Sequence, residues 1–370
     1  MTVNSVGEID ITSWPFLIGG AVASVLLVVG LAVLLWRRRG RLALALVTLV
    51  IVLVNSAAGI NASFDYFRTL GDVLGLPPSD ELELAELLAR HDVPDAGVIT
   101  TVTIPPRASG FAARPATIYV PPAWFARPRP TLPVVLLLHG TPGTPQDWVD
   151  GGQAAATSDA YAAAHGGGGP ILVMPDINGS LGADTECVDG PAGRAETYLT
   201  GDVPAFVREV FHTAAPGRGW AVAGLSEGGS CALMLALRHP TQFGTFGDYA
   251  GLAGPRSGDT NADTASAITA LFAGSTAAFA AHEPAALLAA RRFPALGGWF
   301  EVGDADGEPL AATRTLVPLA RRAGITACEV VLPAGGHTFD VFAQSYADSL
   351  PWIAGRIGAG PPVPSCPAGP

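Results

Sequence analysis

Residues 220–240, WAVAGLSEGGSCALMLALRHP, decide the fold. WAVAG is a short apolar run with the composition of a buried strand, LSEGG is a turn, and CALMLALRH is an apolar helix that stops before Pro240. At the turn stand Gly224, Leu225, Ser226, Glu227 and Gly228, a G-x-S-x-G pattern. A serine at the crest of a sharp strand-to-helix turn has a strained backbone, and a β-carbon two residues to either side would collide with the strand or the helix, hence the flanking glycines. With 45 Gly among 370 residues the pattern alone says little. Its position between a buried strand and an apolar helix carries the weight, against the plainer reading of a Gly-rich turn with Ser226 as a helix N-cap.

Outward from this segment, short β-branched runs alternate with Ala- and Leu-rich helical stretches from about residue 97 onward. That alternation predicts an α/β fold with a mostly parallel central sheet flanked by helices. The expected strands are Val98–Ile104, Ala116–Val120, Pro133–Leu138, Ile171–Met174, Trp220–Gly224, Trp299–Val302 and Cys328–Leu332. VVLLL and ILVM are near-continuous apolar runs, as in strands buried on both faces.

A serine hydroxyl is a weak nucleophile at neutral pH and needs a general base, which in turn needs an orienting acid. On such a sheet both come after the serine, the acid before the histidine. His337 stands in VVLPAGGHTFDVF, just past the last expected strand, and is the expected base. His139 comes directly after VVLLL and is expected to shape the loop there, whereas His91, His165, His212, His239 and His282 read as surface residues. The acid should lie just past GGWFEV, where Glu301, Asp304, Asp306 and Glu308 compete. Glu301 lies inside the strand and should point into a helix layer. Asp306, three residues past Gly303, is the expected acid, with Asp304 as the alternative.

A tetrahedral intermediate also needs two backbone N–H donors. One is expected from Glu227, after the nucleophile, and one from the loop His139-Gly140-Thr141-Pro142-Gly143. Pro142 has no N–H, so Thr141 is the expected donor and Gly143 the reserve. The Glu227 carboxylate would complement the helix dipole but would also place negative charge near the oxyanion.

The N-terminal part is of another kind. Residues 15–36 and 42–60 carry no charge, and each approaches the roughly 20 residues of a bilayer span. They predict a transmembrane helical hairpin, with Arg37, Arg38, Arg39 and Arg41 in a cytoplasmic connection and both termini outside. A cleavable signal ending near Asn55–Ala58 is the alternative, and either version exports the C-terminal domain. The expected layout is thus a membrane anchor over 1–62, a juxtamembrane linker and short helix over 63–96, a catalytic domain over 97–356, and a Pro/Gly-rich tail over 357–370. Phe64, Tyr66 and Phe67 fall where aromatic rings sit at a bilayer interface. In the linker, Asp80 and Glu83 have capping-box spacing. Every one of the 21 basic residues is Arg, and the net charge is −11. Residues 1–62 hold +2 of it, so the remainder is acidic, which excludes a nucleic-acid partner. Cys187, Cys231, Cys328 and Cys366 lack C-x-x-C spacing, which argues against a zinc site or a reactive dithiol.

LHGTPGTPQDW (138–148), GLSEGGSCA (224–232), GGHTFDVFAQSYADSLPWI (335–353) and Ala195–Thr200 together resemble the esterase D-like branch of the α/β-hydrolases, and within it the antigen 85-type mycolyltransferases. The resemblance covers about residues 97–356. It implies an α/β-hydrolase fold, ester hydrolysis or acyl transfer in the cell envelope without metal or organic cofactor, and the same roles for Ser226, His337 and Thr141. This chain departs from the mycolyltransferases at Glu227, at HGTPG in the oxyanion loop, and in favouring Asp over Glu as the acid.

Four cysteines permit three pairings. Cys187, in the long loop after the fourth strand, and Cys231, one turn into the elbow helix, are the preferred pair, while Cys366 is available to pin the tail. The expectation is a membrane-bound, multi-pass protein whose extracytoplasmic domain is a serine esterase or acyltransferase for a small-molecule or lipid ester. Mycolyl-type transfer to a sugar or glycerol is one alternative. A non-catalytic exported binding protein is another.

Overall fold

The computed structural model describes residues 11, 14–34, 41–64, 66–67, 70–74, 81–363 and 366. The chain forms two compact units, one of residues 1–77 with 338–340, the other of residues 78–337 and 341–370.

The first unit contains helices α1 (Trp14–Leu34) and α2 (Arg41–Phe64), paired so that Asn55 Nδ2 donates to Ser24 Oγ over 3.1 Å. Their apolar side chains face outward, Val25 being 62 % and Leu26 66 % exposed. Among the described residues no helix is long and apolar enough to cross a membrane. The expected membrane hairpin is therefore not shown by the structure. Arg37–Arg39 and Asp80 lie outside the described residues.

The second unit begins before residue 97. Helix α3 (Leu84–Ala89) buries Leu87, and Leu82 N–H donates to the Ile99 carbonyl, so this part of the expected linker is packed on the sheet. Glu83 is the N-cap residue of α3 and makes no side-chain capping bond, so the expected capping box is not built around it.

The sheet has eight strands: β1 (Val98–Val102), β2 (Ala116–Val120), β3 (Val134–Leu138), β4 (Ile171–Met174), β5 (Gly217–Leu225), β6 (Phe243–Tyr249), β7 (Gly297–Gly303) and β8 (Thr326–Leu332). They lie in the order β1-β2-β4-β3-β5-β6-β7-β8. The β1/β2 and β2/β4 pairings are antiparallel and all others parallel. The β3 and β4 residues are fully buried on both faces, each Val or Leu contributing about 1.5–3 kcal/mol through burial.

β6 was not expected from the sequence. In FGTFGDY, Gly244, Gly247 and Asp248 interrupt the apolar run, yet the strand sits in the middle of the sheet between β5 and β7. Small residues are required there: a β-carbon on Gly247 would come within 2.9 Å of Ala223 Cβ on the neighbouring strand.

Helices cover the sheet with apolar stripes at helical spacing. Helix α4 (Val203–Phe211) buries Val203, Val207 and Phe211, and ends at His212, whose φ of 54° breaks the helix. Helix α5 (Glu227–Arg238) is buried along almost its whole length against β5 and β6. Helix α6 (Gly307–Arg322) buries Leu310, Thr313, Leu316, Val317 and Ala320, and places Arg321 and Arg322 in its last turn, where cations complement the helix dipole. Helix α7 (Phe339–Ile357) closes the fold. A disulfide joins Cys328 of β8 to Cys366.

Candidate active site

The site is assembled from loops at the C-terminal ends of β3, β4, β5, β7 and β8. After β5 the backbone turns at Ser226 with φ 56° and ψ −123°, a conformation that side-chain-bearing residues rarely adopt. Ser226 N–H donates to the Tyr249 carbonyl at 2.9 Å, which holds the turn to the end of β6. The flanking glycines are sterically required: a β-carbon on Gly224 would meet the Gly228 carbonyl oxygen at 2.1 Å, and one on Gly228 the Leu138 carbonyl oxygen at 2.2 Å.

His337, in the loop after β8, has Nε2 2.9 Å from Ser226 Oγ, and its Nδ1 is 2.6 Å from Asp306 Oδ2. A carboxylate can only accept, so Nδ1 carries the proton and Nε2 is left as the acceptor facing the serine hydroxyl. Asp306 is buried and forms the N-cap position of α6 without capping it, which leaves its carboxylate for the histidine. Asp304 is exposed, and its backbone N–H is bonded to Leu332. Glu301 points into the helix layer, where Trp299 Nε1 donates to it at 2.7 Å, and burial pushes its pKa up to about 8.

Thr141 lines the cleft beside the serine. Gly143, the reserve donor, has its N–H committed to the Leu181 carbonyl at 3.2 Å. Glu227 opens α5, so its N–H has no intrahelical acceptor and points out of the helix end. Its side chain does not face solvent as a dipole-complementing carboxylate. It is buried, with Oε1 accepting from Glu186 N–H (3.0 Å) and Oε2 accepting from Asn178 Nδ2 (2.7 Å) and contacting Thr141 Oγ1. Burial, reinforced by the Asp184 charge, pushes its pKa up to about 7, and burial beside Glu227 raises Glu186 well above the ordinary carboxylate range.

Two further groups were not legible as site residues. Asp176, at the end of β4, holds the loop after β3: Arg114 Nη2 donates to Asp176 Oδ1 (2.5 Å) and to the Gly143 carbonyl (2.8 Å), and the buried His139 ring lies between Asp176 Oδ1 and the Gly140 carbonyl. Burial alone would raise Asp176, but His139 and Arg114 hold it well below the usual carboxylate range. At the C-terminal end of α5, His239 and His282 are not plain surface residues. With Arg238 they surround the buried Glu196 carboxylate at 2.6–2.9 Å.

Cys187 and Cys231 form a disulfide that joins the wall loop after β4 to α5. The cleft has a volume of ≈ 370 Å3, with Thr141, Asp184, Glu186, Ser226, Glu227 and His337 among its lining residues. Among the described residues no group of His, Cys, Asp or Glu is arranged to hold a metal ion. The arrangement can transfer the serine proton to an imidazole and offers backbone N–H groups beside the serine, the requirements of acyl chemistry.

Comparison with known proteins agrees with this chemistry. Residues 112–353 match the esterase family described as "Putative esterase". An uncharacterized protein of Corynebacterium glutamicum is 35 % identical over 338 residues, 87 % of this chain and 78 % of that protein. In fold, the chain is similar to an S-formylglutathione hydrolase of Agrobacterium tumefaciens (TM-score 0.57, 20 % identity, 73 % of this chain and 99 % of that one). It is also similar to a ferulic acid esterase (TM-score 0.56, 21 % identity, 66 % and 91 %). A fluorophosphonate-binding serine hydrolase of Staphylococcus aureus aligns at TM-score 0.54 and 14 % identity, covering 70 % of this chain and 98 % of that one. With the family match spanning most of the second unit and an α/β-hydrolase sheet beneath it, the chain belongs to the esterase family and is a hydrolase enzyme.

Proposed function

We propose that this protein is an extracytoplasmic serine esterase or acyltransferase acting on carboxylic esters through Ser226, His337 and Asp306. The observation that carries the reading is the continuous hydrogen-bond line Ser226 Oγ, His337 Nε2, His337 Nδ1, Asp306 Oδ2, at 2.9 and 2.6 Å, built on a strained elbow. In this reading Ser226 Oγ attacks the ester carbonyl as His337 Nε2 takes its proton, and Asp306 holds the imidazole and stabilises the imidazolium. The Thr141 and Glu227 N–H groups bind the oxyanion. His337 then gives the proton to the departing alcohol, leaving an acyl-enzyme. Water or an acceptor alcohol, deprotonated by the same imidazole, releases the acyl group.

Labelling with a fluorophosphonate probe tests the nucleophile. A Ser226-dependent adduct is expected, and a Ser226→Ala protein that still labels overturns the assignment. Incubation with short- and long-chain esters, with and without a sugar or glycerol acceptor, separates hydrolysis from transfer by product identity.

For the location, the uncharged runs 15–36 and 42–60 and the outward apolar side chains of Ile18, Val25, Leu26, Leu53 and Val54 support a membrane tether. Both disulfides, which leave no free cysteine, support an oxidising compartment. Immunoblotting of membrane and culture-fluid fractions tests this, and a shed protein beginning near residue 60 overturns the tether.

A further inference from the structure

Counting hydrogens around Glu227 leads to a role for its side chain. Thr185 N–H donates to Asn178 Oδ1 (2.9 Å), which fixes the amide so that Nδ2 faces Thr141 Oγ1 (2.5 Å) and Glu227 Oε2 (2.7 Å). Thr141 Oγ1 has one proton, and the Ala183 carbonyl 3.2 Å away can only accept it. That proton can go to Glu227 Oε2 or to the Ala183 carbonyl but not to both, so both contacts have a hydrogen only when the carboxyl supplies the one between Glu227 and Thr141. As a neutral acid, Glu227 donates to Thr141 through Oε2 and accepts Glu186 N–H through Oε1, and every contact is used. As a carboxylate, it competes with Ala183 for the single Thr141 proton.

We propose that Glu227 is a positioning residue that works as a neutral carboxylic acid, tying the Thr141 loop and the Glu186 loop to the nucleophile elbow so that both oxyanion donors stay aimed at one point. Its ionisation lowers activity, because Thr141 then has one proton for two acceptors, so its loop loses one of its two ties, and a negative charge appears on the residue that supplies one oxyanion donor.

The surroundings favour the neutral form. Asp184 and Glu186 face Glu227 from the loop after β4, and His139 faces it from the loop after β3. Asp259, Asp306, Glu308 and His337 line the rest of the cleft. The nearby cation, Arg256, lies against Glu186 and is paired with Glu283 at 2.9 Å. Burial first, and then the Asp184 charge, bring the Glu227 pKa up to about 7.

The inference rests on Ser226 being the nucleophile, and one set of measurements on the full chain separates the two. Fluorophosphonate labelling reads the nucleophile, and the pH profile of kcat/KM for a neutral short-chain ester reads Glu227. For the wild type, kcat/KM is expected to fall about tenfold between about pH 7 and pH 8.5. In Glu227→Gln, whose amide can donate to Thr141 and never ionises, that fall shrinks to less than about twofold. Asp184→Asn removes the charge that raises Glu227, so the fall moves to lower pH, whereas Glu186→Gln keeps it. A Ser226 that labels normally in an enzyme with no alkaline fall, or a fall that persists in Glu227→Gln, overturns the inference alone. Should Glu227→Gln not fold, an unshifted fall in Asp184→Asn overturns it.

Discussion

Gly303 and Gly335 meet backbone to backbone, so closely that a β-carbon on Gly303 would lie 2.1 Å from the Gly335 carbonyl oxygen. Gly335 also accepts the Ala305 N–H at 2.9 Å. These contacts press the turn bearing Asp306 against the loop bearing His337. Gly303→Ala should force the two loops apart, cost about 2–4 kcal/mol, and reduce kcat/KM at least about tenfold. Urea unfolding and ester kinetics on the same preparation check both effects, and a fully active, equally stable variant would show that the close approach has no role.

The two acids after β7 should separate cleanly. Asp306→Asn leaves the shape of the site but removes the acceptor that fixes the His337 tautomer, and kcat should fall by about 10^3–10^4. Asp304 is exposed and should tolerate Asn within about threefold. Equal losses in the two variants would sink the assignment of Asp306.

The Cys187–Cys231 disulfide closes a segment of 44 residues, for which restriction of the unfolded chain is worth at most about 4 kcal/mol. It also anchors the loop whose Glu186 N–H binds Glu227. Cys187→Ser with Cys231→Ser should therefore lower Tm by about 10 °C. The same protein should lose activity at temperatures well below its unfolding. Calorimetry beside activity measured along the same temperature ramp is the check.

Asp248 is buried under the elbow helix, accepts the Gly251 N–H, and has its pKa pushed up by burial to about 7 from 3.8. Between those pH values the folded state keeps a proton that the unfolded state has released, so stability falls as pH rises through the interval. Asp248→Asn keeps the Gly251 bond and removes that dependence. Its advantage over the wild type should grow from about pH 4 to pH 7, by a few kcal/mol, and then level off. Denaturation at several pH values reads the difference, and a constant offset between the two proteins contradicts the account.

Local sequence determined whatever depends on a few consecutive residues. A buried strand, a serine between glycines and an apolar helix made the elbow legible, because Gly224 and Gly228 leave the room that a sharp turn at Ser226 needs. The apolar runs of β3 and β4 were legible for the same reason, since a strand buried on both faces is apolar throughout. Strand β6 was not, because its glycines answer to neighbours on β5 that are distant in the chain.

The rest was decided by contacts between distant segments. Asp306 and Asp304 are two residues apart in sequence, yet one is buried against a histidine 31 residues away and the other is exposed. Ser226 and His337 meet across 111 residues. The buried state of Glu227 depends on loops after β3 and β4, so its sequence position at a helix start did not reveal it. Local pattern constrains φ, ψ and periodicity. Burial, charge state and pairing depend on which surfaces the sheet order brings together, and only the tertiary structure sets that.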